Sequence, residues 1–191
     1  VEALRMIKDD FELAEIREAI AIAERAFDMF KAKLRLEDSE KELSDAMEMY
    51  IRRAGGECSS FRPIIAADAR AALPHAPLTR TSLADADLIL VDWGATGPHS
   101  YKSDLTRVLL TRKNLYFSSS ASRERLEPKV DRIYALVLAA QEKALAAVRP
   151  GAKASDVDAA ARTYFAKAGF GASFTHGLGH GLGLQVHEAP A

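Results

Sequence analysis

One cysteine, Cys58, is all the chain has, so no disulfide can close within it. That fits a reducing compartment, and a lone thiol of this kind reads as a small core residue before a nucleophile. No charge of either sign is in excess: 26 Lys and Arg stand against 27 Asp and Glu, for a net charge of -1. Composition therefore gives no ground for nucleic acid or an anionic membrane as partner. No apolar run approaches the roughly 20 residues of a membrane span. The first residues, V-E-A-L-R-M-I-K-D-D, contain no apolar signal-peptide core. These absences lead to the expectation of a soluble, cytoplasmic protein. At 191 residues the chain is one domain by length and large enough for a real core.

Against that plain background one stretch stands out. Residues Thr175 to Pro190, T-H-G-L-G-H-G-L-G-L-Q-V-H-E-A-P, hold three of the five histidines, His176, His180 and His187. Gly177, Gly179, Gly181 and Gly183 alternate through it. Two histidines four apart suggest one face of a helix. Each glycine, however, costs a helix about 1 kcal/mol relative to alanine, so the stretch is read as loop or extended chain. Imidazoles on such a loop serve as metal ligands or proton carriers; a glycine turn with incidental histidines is the plainer alternative. The spacing does not fit the G-x-G-x-x-G of a phosphate loop.

The first half reads as helix. Asp9 and Glu12 form a capping-box pattern, followed by Leu13, Ile16, Ile20, Ala23, Phe27, Phe30 and Leu34 as one apolar stripe. Ser39 and Glu42 repeat the pattern before Leu43, Met47, Tyr50 and Ala54, and Gly55-Gly56 stops that helix. From Ser59 the texture changes to strands: F-R-P-I-I-A-A, L-I-L-V-D and D-L-T-R-V-L-L. Between the first two, A-A-L-P-H-A-P places His75 in a proline-restricted loop, where a surface histidine is the alternative to a functional one. Beyond a Ser-rich connection, Ser118 to Ser122, a helix is expected with Leu126, Val130, Ile133, Val137, Ala140, Ala144 and Val148 as its stripe. Pro150-Gly151 ends it. A last helix starts at Ser155 with Asp158 as its capping partner and Val157, Ala161, Tyr164 and Ala168 inside. The order helix, helix, strands then repeats weakly, with a strand through Gln185 and Val186.

Asp92 and Asp104 carry the second candidate chemistry. Gly94, Gly97 and Pro98 supply a turn between the apolar runs, so a hairpin can set the two carboxylates side by side. Adjacent carboxylates repel unless they share a proton or bind a cation, and oxygen ligands suit Mn, Mg or Zn. The alternative has Asp92 capping the turn and Asp104 paired to Arg107 or Lys102.

Four stretches together resemble the pita-bread-fold metallopeptidases, in the Xaa-Pro aminopeptidase and prolidase branch. They are L-R-M-I-K-D-D-F-E-L-A-E-I-R, A-A-L-P-H-A at His75, V-D-W-G-A through S-D-L-T-R, and T-H-G-L-G-H-G-L-G-L-Q-V-H-E. The resemblance implies an α+β fold with helices packed on a curved antiparallel sheet. It implies two divalent metals, Mn first with Co or Zn also suited. By position, Asp92 matches an aspartate on one metal, Asp104 the aspartate bridging both, and His180 a ligand of the second. His75 and His187 match histidines that contact the substrate and steady the tetrahedral intermediate, and His176 one that lines the pocket. The implied reaction is hydrolysis of short peptides with proline at the second position, by a hydroxide bridging two metals. The three proposed ligands should then lie within about 5 Å of a shared centre.

Two departures from the family pattern qualify this reading. Asp92 and Asp104 stand one residue further apart than usual, with Ser100 where glycine normally precedes the tyrosine, here Tyr101. The family's remaining ligands are two glutamates on strands beyond the H-E-x-P segment, and the sequence ends at Ala191 before either. Residues 1–191 are thus expected to be a catalytic domain incomplete at its C-terminal end, without the N-terminal domain of two-domain members. The 191-residue chain alone is expected to be inactive. A binding module of this fold without turnover stays open, as does a metal-free creatinase-like amidinohydrolase, though the latter has no use for Asp92, Asp104 and His180 together. The sequence does not fix the oligomeric state; a homodimer is compatible with it.

Overall fold

The computed structural model describes residues 2–111 and 128–190, so Ser118 to Ser122 and Leu126 lie outside the described residues. The chain divides into two compact units: Val1–Arg123 with Leu182–Glu188, and Glu124–Gly181 with Ala189–Ala191.

The first unit opens with a short helix, α1 (Glu2–Arg5), then the two capped helices α2 (Asp10–Lys33) and α3 (Glu40–Arg53). Both capping boxes form as the sequence predicts, at Asp9 with Glu12 and Ser39 with Glu42. At the end of α3 the Gly55 N–H donates to the Arg52 carbonyl and the Gly56 N–H to that of Ile51, a Schellman closure. The buried stripe of α2 matches expectation at Ala23, Phe30 and Leu34 and differs elsewhere. It runs through Ala19, Ile22, Ala23, Ala26 and Phe30, while Leu13 is exposed and Ile16 and Ile20 are only partly covered. Small residues on the inner face leave the backbone open to side chains, with Ser103 Oγ donating to the Ala19 carbonyl at 3.0 Å. The neighbouring sheet lies beyond.

That sheet is antiparallel, in the order β2 (Ile64–Ala67), β3 (Leu88–Trp93), β5 (Leu105–Leu110). A two-stranded ribbon of β1 (Cys58–Ser59) and β4 (Ala95–Thr96) extends it. Ile65, Ile89, Val91 and Trp93 point from the sheet into a core with Ile22, Phe30, Met47, Ile51 and Leu83. Each such side chain, fully buried, contributes about 2 kcal/mol. Trp93 stacks on Phe27 with centroids 4.4 Å apart, and its indole N–H donates to the Ala23 carbonyl at 2.9 Å.

The hairpin joining β3 and β5 forms as expected, but Gly94 is not in its turn. A Cβ on Gly94 would lie 1.9 Å from the Ser103 carbonyl oxygen and 2.1 Å from Ser60 Oγ, so glycine there permits close passage of two strands. The turn lies at residues 97–101: the Gly97 N–H donates to the Tyr101 carbonyl and the Ser100 N–H to that of Gly97. Ser100 holds φ 67°, the left-handed region that glycine occupies without strain. Ser100→Gly is therefore expected to stabilise the protein by about 0.5–1 kcal/mol, read as a higher unfolding midpoint. An unchanged or lower midpoint would mean that the turn carries no backbone strain.

In the second unit α4 (Pro128–Ala147) packs on α5 (Ala154–Lys167) through Ala140, Ala144 and Ala161. Val137 and Val148, expected inside, are 50% and 62% exposed. The alanine face permits close helix packing and turns the bulkier face of α4 outward. The N-cap of α5 is Lys153, without a side-chain cap, so the Ser155–Asp158 pattern is not used as one. Gly151 and Gly169, both at positive φ, bracket the helix. No strand forms at Gln185 and Val186; the chain there is a tight bend in which the Gly183 N–H donates to the Gln185 carbonyl at 3.0 Å. Among the described residues no helix is long and apolar enough to cross a membrane.

Candidate metal and substrate site

Asp92 and Asp104 come to one face of the sheet through the register of β3 and β5. Asp92 pairs across the ladder with Thr106, and Thr106 Oγ1 donates to Asp92 Oδ1 at 3.0 Å. Asp104 sits two residues before Thr106, where the ladder continues through the Ser103 N–H donating to the Ala95 carbonyl at 2.9 Å. Side chains two apart on a strand share a face, so Asp104 neighbours Asp92 diagonally. Both are partly buried. The cations weighed against them have bonds of their own: Lys102 Nζ donates to Thr96 Oγ1 at 3.1 Å and Arg107 Nη1 to the Thr106 carbonyl at 2.8 Å.

His187 belongs to the same unit, on the segment Leu182–Glu188. The Lys102 N–H donates to the Gly183 carbonyl at 2.8 Å, which docks this segment on the strand leading to Asp104. The neighbouring Glu188 holds it from the other side. Its carboxylate accepts from Arg5, from Lys8 Nζ at 3.2 Å and from the Gln185 N–H at 3.0 Å, with its side chain 5% exposed. Burial pushes the Glu188 carboxyl up, but those bonds outweigh it and hold the group below its ordinary value. Gly183 lies directly beneath this carboxylate, where a Cβ would stand 2.7 Å from Oε2. His187 itself is exposed, and so is His75, which sits at φ 56° in the loop after β2.

The second unit holds His176 and His180. His180 Nδ1 lies 3.0 Å from the Gly181 carbonyl and His176 Nδ1 2.7 Å from that of Gly177. A carbonyl only accepts, so Nδ1 carries the proton in each ring, and the lone pair of the neutral imidazole is on Nε2. This is the tautomer in which a metal-ligating histidine is commonly fixed. Arg162 fastens the loop around them. It forms a two-pronged pair with Asp158 at 2.7 and 2.9 Å and donates to the carbonyls of Phe174 and His176, each at 2.9 Å. Its guanidinium lies 4.6 Å over the Phe174 ring, and Asp158 also accepts from the Leu178 N–H. The Arg162 hydrogen bond holds the Asp158 carboxyl below its ordinary value.

Two aspartate oxygens on one sheet face and a histidine with Nε2 as its basic nitrogen fit the chemistry of a divalent-metal donor set. Among the described residues no group of three or more His, Cys, Asp or Glu is gathered to hold a metal ion. The sequence reading gives Asp158 a helix-capping role and does not reach its pair with Arg162 or the anchoring of Glu188. The four-residue spacing of Asp158 and Arg162 is a signal for a helix ion pair, whereas nothing local points from Glu188 to Arg5 and Lys8.

Comparison with known proteins gives a consistent answer. The model of metallopeptidase family M24 matches residues 14–191. A Xaa-Pro dipeptidase of Pyrococcus horikoshii is 34% identical over 190 residues, covering 100% of this chain and 50% of that protein. The X-Pro aminopeptidase of Thermotoga maritima superposes with a TM-score of 0.88 at 35% identity, over 99% of this chain and 50% of that one. The prolidase of Pyrococcus furiosus gives 0.86 at 33% identity, over 99% and 52%. The chain thus spans about half the length of the relatives it matches. Its α+β architecture, with helices on an antiparallel sheet, is that of pita-bread prolidases. On sequence and structure alike, the chain belongs to metallopeptidase family M24.

Proposed function

We propose that the full-length protein is a metal-dependent exopeptidase acting on peptides with proline at the second position, as a Xaa-Pro dipeptidase or aminopeptidase. The observation that supports the reading best is the β3–β5 register in a family M24 chain, with Thr106 opposite Asp92 and Asp104 two residues before Thr106. Asp92, Asp104 and His180 would hold two divalent ions, Mn in the first place. Such ions supply Lewis acidity that activates water and polarises a carbonyl. The chain's own groups do the rest. Asp92 is oriented by the Thr106 hydroxyl, and His180 presents Nε2 because its Nδ1 proton is held by Gly181. His75 and His187 donate hydrogen bonds to the oxyanion that develops on the scissile carbonyl, and His176 lines the substrate pocket. Asp92, Asp104 and His180 by themselves do not offset the charge of two divalent ions, so these 191 residues alone are expected not to turn over substrate. The single cysteine, which is not in a disulfide, suits a cytoplasmic setting.

The test is release of proline from Xaa-Pro dipeptides by the full-length protein, with chelator and Mn readdition. Turnover should vanish with chelator, return with Mn, and exceed that on matching Xaa-Ala dipeptides by about tenfold or more. Equal rates on both dipeptides would overturn the proline preference. Substrate binding without turnover would leave a binding module of the same fold.

A further inference from the structure

One buried carboxylate has no place in the scheme above. Glu40, the first residue of α3, has a side chain 0% exposed. Four donors converge on it: the Ala67 N–H at 3.1 Å, Arg70 Nε at 2.9 Å, the Thr79 N–H at 3.1 Å and Thr79 Oγ1 at 2.6 Å. All four come from residues 67–79, the segment that carries His75. The start of α3 grips the end of the same segment, since the Lys41 N–H donates to the Thr79 carbonyl at 3.0 Å and the Glu40 N–H to that of Thr81 at 3.1 Å. Arg70 reaches on to donate to the Pro77 carbonyl, just past His75.

One other carboxylate anchors the segment near its start, where Asp68 Oδ1 accepts from the Asp87 and Leu88 N–H groups, each at 3.0 Å. Asp68 and His75 both sit at positive φ, at 46° and 56°, which only surrounding contacts can impose on residues other than glycine. Leu73 is half exposed, and between Asp68 and Thr79 only Ala76 is buried. Its position is therefore set by polar bonds, and those that tie its two ends together meet at Glu40.

We propose that Glu40 is a positioning residue for His75: by binding both ends of residues 67–79 it sets where the imidazole stands relative to the substrate. This rests on the reading of His75 as a group that acts on substrate. Glu40→Gln keeps the size but turns one acceptor into an amide donor facing N–H and O–H donors. The effect stays local, since the capping box of Ser39 with Glu42 and the core residues Leu43, Met47 and Ile51 are untouched.

The experiment is a double-mutant cycle of E40Q and H75A in the full-length, metal-loaded enzyme. E40Q should lower kcat by about ten- to a hundredfold with KM changed less than about threefold and metal content intact. The double variant should be no more than about twofold slower than H75A alone. Amides of residues 67–79 should exchange faster in E40Q, while those of β3 stay protected. If H75A is impaired and E40Q is not, or if the two losses multiply in full, the positioning role is overturned. If H75A alone keeps full kcat, the reading of His75 as a substrate-acting group fails, and the proposal with it. Should E40Q not fold, Thr79→Val removes one donor hydroxyl and carries the same test; an unchanged kcat there overturns the proposal.

Discussion

Replacing His187 by alanine in the full-length enzyme is expected to lower kcat by about a hundredfold or more and to leave the bound metal unchanged. The scaffold that carries the ring has bonds of its own. The segment around His187 is fixed by the Lys102 N–H on the Gly183 carbonyl and by Glu188 on Arg5, Lys8 and the Gln185 N–H. None of those bonds passes through the imidazole. His187 is also exposed, so truncating it removes little packing and should alter stability by no more than about 0.5 kcal/mol. What is lost is a donor to a developing oxyanion, whose removal in other hydrolases costs about 2.7–4 kcal/mol of transition-state stabilisation. His75→Ala should behave alike, because its loop is held by Glu40 and not by its own ring. Metal analysis beside kcat decides the matter. A variant that loses metal along with activity would show that the histidine belongs with the ligands.

How far the sequence reveals this arrangement depends on the range of the interaction. The capping boxes at Asp9 and Ser39 and the glycine stop at Gly55 are legible because they operate within a few residues. The hairpin of Asp92 and Asp104 is legible because two apolar runs flank a turn. Gly94 misleads, since a glycine needed for close approach of Ser103 and Ser60 looks the same in sequence as one needed for a turn. The inner face of α2 is legible only in part: Ala23, Phe30 and Leu34 are buried as expected, but hydropathy favours Leu13 and Ile20 over the small residues Ala19 and Ala26, which are buried instead. On α4, Ala140 and Ala144 are buried as expected, whereas Val137 and, just past the helix, Val148 face outward. Glu40 and Glu188 are least visible of all. An acidic residue at the start of a helix is ordinarily explained by the helix dipole, and only the fold brings Arg70 and Thr79 to one and Arg5 and Lys8 to the other.

A polypeptide of these 191 residues alone is expected to be metal-poor and inactive on Xaa-Pro peptides, even with added Mn. The argument is first one of charge. Asp92 and Asp104 bring two negative charges and His180 none, while a pair of divalent ions brings four positive ones. Two such ions held close together need most of that charge offset by nearby carboxylates, so three ligands suffice for one weakly held ion at best. The second argument is one of surface. Tyr134, Val137, Leu138, Leu145 and Val148 recur at helical spacing along one side of α4 and are 54%, 50%, 47%, 64% and 62% exposed. An exposed apolar stripe of this kind, interrupted only by Gln141, promotes self-association in water. The relatives this chain matches are about twice as long, which leaves room for both further carboxylates and a cover for that face. Metal titration, light scattering and a proline-dipeptide assay, run on this polypeptide and on the same chain extended by the segment that follows the matched region in a relative, decide between the outcomes. Tight binding of two metals with measurable turnover by the short chain would overturn the ligand assignment of Asp92, Asp104 and His180. Metal uptake and turnover only in the extended chain, with loss of self-association, would support it.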